Sequence, residues 1–316
     1  MTAGSSSSRG PLFTGFGRAL GRFLGRRSKA ETPERIRQAV REGAIGLNEG
    51  LRQLREMATH VPLDGRLLEW ERRWLHLPAA DEAEWHARAW WGLWAGELLR
   101  DALHHRRRHA DAMALVDSPP EADLARMIRP QGEARGAILV GAHVGPPHTA
   151  LAWLLHRNLP LLAWTATSPN SFAWLVRLSA ARMVNARAEP QSLTKAALHL
   201  RQGGVLFASV DGTTGGRSIP ARECSWTTRF TRSVPTLARR MALPACLLLT
   251  LWERERISIV CQPLEAPDDR LDDDAWIGRW LDGVRQPIDD IVRRSPENLR
   301  FLLFLDNRAI GRELGL

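Results

Sequence analysis

Two histidines, His143 and His148, stand five residues apart at the end of the stretch GAILVGAHVGPPH, Gly136 to His148. Imidazole is the side chain whose ordinary titration brackets neutral pH, so it serves as acid, base or metal ligand. The run Ala137-Ile138-Leu139-Val140 has the length and β-branched content of a buried parallel strand. It stops at Gly141-Ala142, and a loop rich in glycine and proline follows His143. Open α/β sheets place ligands and chemistry beyond the C-terminal ends of their strands. His143 is therefore a candidate general base. His148 opens another apolar helical stretch, Thr149 to Leu155. The alternative is a packed core histidine ahead of an ordinary strand-to-helix turn.

Other chemistries find little support. The chain has no GxGxxG fingerprint, no GxxxxGK[ST] phosphate loop and no GxSxG nucleophile elbow. His143 and His148 on one metal would make a metal-dependent hydrolase, but no third ligand is indicated, and no metal is expected. In the run HHRRRH, His105 and His109 sit at helical i,i+4 spacing and again lack a third ligand. A basic solvated face is the expectation there. Asp211 closes a second apolar strand, Val205 to Val210, and leads into the glycine-rich loop Gly212 to Gly216.

The elements that must position these residues begin at the N-terminus. Residues 1–30 read as a flexible tail with a basic amphipathic segment, Phe13, Phe16, Leu20, Phe23 and Leu24 against Arg18, Arg22, Arg26 and Arg27. Such a segment suits a membrane interface, peripheral rather than spanning, and no stretch is apolar enough to cross. Residues 31–118 read as helical: Pro33 opens a stripe from Ile36 to Ala58, and a second helical region runs from Asp81 to Val116. The tryptophans of the second region, Trp85, Trp90, Trp91 and Trp94, are expected in a core. Residues 119–316 alternate. Strands are predicted at Ala137–Gly141, Leu161–Thr165, Val205–Val210, Ala245–Trp252 and Ile257–Gln262. Helices fall at Thr149–His156, Ser171–Leu178, Gln191–Gln202, Ser233–Ala242 and Asp274–Arg294. The fold class is α/β: a mostly parallel sheet flanked by helices, with an N-terminal helical extension.

Composition narrows the partners. The 316 residues carry a net charge of +9, and Lys29 and Lys195 are the only lysines among 44 basic residues. An anionic partner follows from the charge. Nucleic acid is not expected, because the tryptophans sit in apolar helices rather than among exposed basic residues. Cys224, Cys246 and Cys261 are too widely spaced for a zinc site or a disulfide framework.

The order of features resembles the lysophospholipid acyltransferase superfamily, and within it the late acyltransferases of lipid A biosynthesis. The residues that carry the resemblance are an apolar strand ending in GAHVG, a strand ending in Asp211, a helix with LARRMALP, two more strands, and the closing SPENLRFLLFLDNR. It covers roughly Ala134 to Arg308, and Arg308 matches a basic C-terminal position loosely. The resemblance implies a glycerolipid acyltransferase-like fold and acyl transfer from acyl carrier protein or coenzyme A to a hydroxyl of a lipid or glycolipid. It implies no cofactor beyond that co-substrate, and a peripheral position on the cytoplasmic face of the inner membrane.

In that family the histidine pairs with an acid five positions later. His143 matches the histidine, but position 148 is histidine. Three readings stay open: an atypical His143–His148 dyad, an acid recruited from elsewhere with Asp211 as the candidate, or a relative that binds lipid or an acyl carrier without transferring. By the same resemblance Arg182 faces acceptor phosphate or the oxyanion. Arg229 and Arg232, ahead of the helix at Ser233, are placed to grip a phosphate.

Overall fold

The computed structural model describes residues 27–60, 81–128, 136–157, 159–165, 182–185, 191–211, 218–220 and 229–299. Most of the basic tail, the predicted helix at Ser171–Leu178, the loop 212–217, Cys224 and Arg308 lie outside them.

The helical region forms α1 (Arg27–Glu42), α2 (Leu47–Ala58), α3 (Glu82–His104) and the short α4 (His109–Met113). Helix α1 starts upstream of Pro33, which sits inside it and forgoes one ladder bond. The single stripe from Ile36 to Ala58 is broken at Gly43, whose φ of +86° suits glycine and turns the chain into α2. Arg37, 9 % exposed, ties α1 to α3 through Asp101 at 2.8 Å. Helix α3 is apolar on nearly every face, and Trp85, Trp90, Trp91 and Trp94 are all buried. They belong to the core, as expected.

The α/β part contributes β1 (Val116–Asp117), α5 (Glu121–Ile128), β2 (Ala137–Gly141), α6 (Thr149–Leu155), β3 (Leu161–Thr165) and β4 (Arg182–Asn185). It continues with α7 (Ser192–Arg201), β5 (Val205–Ser209), β6 (Ser218–Pro220), β7 (Arg229–Thr231), α8 (Ser233–Arg240), β8 (Ala245–Glu253), β9 (Arg256–Pro263) and α9 (Asp273–Arg294). The seven-stranded sheet has the order β1-β9-β8-β2-β5-β3-β4. Every neighbouring pair is parallel except the β8–β9 hairpin. This is the mostly parallel α/β architecture that the alternating pattern predicts. The short strands β1, β4, β6 and β7 lacked any hydrophobic run long enough to mark them.

Alternate residues of each strand feed two cores. Ala137, Leu139, Leu161, Ala163, Cys246 and Leu248 face α1, α2, α3 and α6. Ile138, Val140, Leu162, Leu206, Leu247 and Leu249 face α7, α8 and α9. The N-terminal helices thus cover one face of the sheet. Helix α9 is capped by Asp272, whose carboxylate accepts the Ala275 N–H at 2.7 Å. It ends at a 3₁₀ turn, Pro296–Asn298.

Candidate functional site

Strand register builds the site. Parallel pairing sets Ala137 opposite Val205 and Gly141 opposite Ser209, and Val210 N–H still donates to the Gly141 carbonyl at 3.1 Å. Two residues further along each chain come His143 and Asp211. Holding that register brings them together beyond the C-terminal ends of β2 and β5. Asp211 is flanked on its other side by Phe230 in an antiparallel bridge. Strand β7 therefore fixes it from the far edge.

The contact has three parts. His143 Nδ1 lies 2.9 Å from Asp211 Oδ1 and 3.0 Å from the Asp211 carbonyl oxygen. The His143 backbone N–H donates to Asp211 Oδ2 at 2.5 Å. The Asp211 side chain is fully buried, while the imidazole keeps 34 % of its surface exposed. A buried carboxylate is tolerated when its oxygens are paired, and both oxygens are. The tautomer follows. A carbonyl oxygen only accepts, so Nδ1 must carry a proton, and in the neutral ring Nε2 then bears the lone pair. A ring held by a buried acid at one nitrogen and basic at the other is the arrangement of a general base.

His148 has other company. It caps α6 with a left-handed φ of 63°. Its Nδ1 lies 2.8 Å from His104 Nε2 at the end of α3, and the two rings stack at 4.9 Å and 13°. The carboxylate beside His143 comes from Asp211 and not from position 148. A hydrolase with His143 and His148 on one metal would need both rings aimed at one point. Each is instead engaged with a different element. Among the described residues no group of three histidine, cysteine or acidic side chains could hold a metal ion.

The arginines divide. Arg182 opens β4 opposite Leu162, a row shared with Leu206 and Ile138. That row is five residues before Asp211, about 16 Å of strand. Its backbone lies toward the other end of the sheet, so the structure does not bring Arg182 to His143. Only the backbone of Arg229 is described, next to Phe230 and so close to Asp211. Arg232 immediately precedes α8, but its guanidinium pairs with the carboxylate of Asp274 from α9. That ion pair occupies the group expected to grip a phosphate.

Two residues near the site had not been singled out. His104 was hidden in HHRRRH, where a continuous helix would pair His105 with His109. Helix α3 ends at His104, leaving His105 exposed and both His104 and His109 turned to α6. Asn298 lies in the closing SPEN stretch that carries the resemblance but has no role assigned by it, and its carbonyl accepts the Gly145 N–H at 2.7 Å.

No family model matches the chain. The Vi polysaccharide export protein VexE of Salmonella typhi is 27 % identical over 265 residues, 80 % of this chain and 38 % of that protein. The chain thus spans well under half of that relative's length. Among solved structures, the 1-acyl-sn-glycerophosphate (LPA) acyltransferase PlsC from Thermotoga maritima is 12 % identical, covering 71 % of this chain and 87 % of that one, at a TM-score of 0.36. At this identity and score the likeness bears on neither activity nor substrate.

Proposed function

We propose that this protein transfers an acyl chain from acyl carrier protein or coenzyme A to a hydroxyl of a lipid or glycolipid. The observation that carries the reading is the contact between buried Asp211 and His143 Nδ1 at the C-terminal edge of the sheet. In the proposed reaction His143 Nε2 takes the proton of the acceptor hydroxyl as its oxygen attacks the thioester carbonyl. Asp211 stabilises the imidazolium. Collapse of the tetrahedral intermediate breaks the C–S bond and leaves an oxygen ester, and the imidazolium returns its proton to the departing thiolate. General-base catalysis of this kind supplies about 10²–10⁴-fold.

The resemblance along the chain, from GAHVG to SPEN, supplies the acyl donor and acceptor classes. The Salmonella relative is named for polysaccharide export, which makes a saccharide-bearing acceptor the first to assay. A peripheral place on the cytoplasmic face of the inner membrane belongs to the same proposal. Among the described residues no helix is long and apolar enough to cross a membrane.

The test is transfer of a labelled acyl group from acyl carrier protein and from coenzyme A to membrane lipid extract. We expect product from the wild-type protein and a loss of about 10²–10⁴-fold in His143→Ala. Unchanged transfer in that variant removes His143 as the base. Tight lipid binding with no transfer would replace the enzyme by a lipid-binding relative.

A further inference from the structure

We propose that Asn298 is a positioning residue that latches the His143 loop, and through it the His143–Asp211 pair. The inference rests on the acyltransferase reading for its kinetic consequence and on geometry alone for its structural one.

The latch answers a problem in the sheet. Strand β2 pairs with β8 only where Ile138–Val140 face Ala245–Leu247. Beyond Leu247, β8 runs on to Glu253 with β9 along one edge, while the chain after β2 has turned into the His143 loop. The β2-facing edge of β8 is left needing partners in a buried setting. Strands β3 and β5 lie on one side of β2 and β8 on the other, so this divergence is also where strand order reverses, the usual crevice for ligands in such sheets.

Asn298 fills the gap from a turn more than forty residues away. Its Oδ1 accepts the Trp252 N–H at 2.6 Å, and its Nδ2 donates to the Trp252 carbonyl at 3.1 Å. The side-chain amide thus stands in for a neighbouring strand. Its own carbonyl accepts the Gly145 N–H at 2.7 Å, two residues past His143. Gly145 (φ +69°) is pressed so closely on β8 that an added Cβ would lie 1.7 Å from the Thr250 oxygen. One residue, 2 % exposed, therefore joins β8 to the loop that carries the base.

The turn is itself held. Arg88 of α3 donates to both Glu297 oxygens, at 2.9 and 3.0 Å, and to the Arg294 carbonyl at 3.1 Å. The Glu297 carbonyl sits where a Cβ on Gly92 would be, 1.9 Å away, so α3 passes in direct contact with the turn. An anchor fixed to both α3 and β8 sets where Gly145 lies. Gly145 in turn limits how His143 approaches Asp211. A misplacement of about 1 Å in a reacting group costs up to about 10²-fold in rate.

The experiment compares wild type, Asn298→Ala and Asn298→Asp, the last keeping an acceptor for the Trp252 N–H. Histidine ¹⁵N shifts at neutral pH report which nitrogen of His143 carries the proton, whether or not the protein is active. The wild type should show the Nδ1–H tautomer, Asn298→Ala a mixture of tautomers, and Asn298→Asp an intermediate state. In the transfer assay kcat should fall about 10- to 10²-fold in Asn298→Ala with donor KM within about threefold. A folded Asn298→Ala with an unchanged tautomer overturns the latch, as does a wild type lacking the Nδ1–H form. If Asn298→Ala fails to fold, Asn298→Asp decides by the same shifts. A tautomer that responds in a protein showing no acyl transfer keeps the latch and removes the proposed reaction.

Discussion

His143 and His148 share one loop and one residue type, yet their surroundings are opposite. The first meets a buried carboxylate just beyond β5; the second stacks on another imidazole from α3. A carboxylate stabilises an imidazolium, whereas a second ring that takes up a proton opposes it. The difference arises from the elements that each end of the loop faces. At the start, parallel register carries Asp211 alongside. At the end, a left-handed residue turns the chain into α6 and presents the ring to the C-terminus of α3. The first ring thus has a buried carboxylate at its Nδ1, and the second has an imidazole nitrogen in the same place.

The largest expected effect comes from removing the carboxylate that separates them. Asp211→Asn keeps an acceptor near Nδ1 and discards the charge. In a serine-protease triad the equivalent change costs about 10⁴-fold, and a fall of 10²–10⁴-fold in kcat is expected here. Steady-state transfer kinetics decide it. A change of less than threefold would leave the two histidines electrostatically equivalent and dissolve the contrast.

Second in size is the hinge between the two. Gly145→Ala puts a methyl group against the Thr250 carbonyl at a φ of +69°. A loss of about 3 kcal/mol or more in folding stability is expected, read from the midpoint of urea unfolding. Wild-type stability in this variant would mean that the loop shifts freely between its two ends.

Much of this was legible in the residues. The apolar run before His143 and the alternation from Ala137 to Gln262 mark the sheet, because parallel strands buried on both faces write continuous hydrophobic runs. Asp211 stood at a strand end in plain sight, but its pairing with His143 depends on the β2–β5 register that sets Gly141 opposite Ser209. What stayed hidden depended on tertiary contact. The family resemblance suggested position 148 as a partner for His143, but a φ of 63° and the end of α3 assign it to His104. Arg182 matched by segment, yet it begins a four-residue strand at the sheet's edge. No periodicity could reveal Asn298, whose side chain replaces a strand.

A third, smaller effect tests the second histidine directly. His148→Glu installs the acid that the family resemblance places five residues after the histidine. Because Asp211 already holds His143 Nδ1, and position 148 faces His104, kcat should stay within about threefold of wild type. A gain of tenfold or more would show that the introduced carboxylate reaches His143, and the contrast between the two ends of the loop would fail.

The smallest effect extends the contrast to the far end of α6. There His109 Nδ1 lies 2.8 Å from the Leu103 carbonyl, so it carries a proton, and His109 Nε2 faces His156 Nε2 at 2.5 Å. Neutral rings can share one hydrogen bond across that gap; a doubly protonated His109 cannot accept it. Burial, with the charges of His109 and Arg157, holds His156 below the ordinary histidine value of 6.5. The unfolded chain therefore binds this proton more readily than the folded one. The stabilising contribution is complete above pH 6.5 and is lost as pH falls through the lower folded value. His156 is exposed on one side, so solvent screens much of the effect. Melting temperatures at pH 7.5 and 5.5 should differ less in His156→Gln than in wild type. An identical difference in the two proteins would mean that burial beside His109 and Arg157 does not hold His156 below its ordinary value at this end of α6.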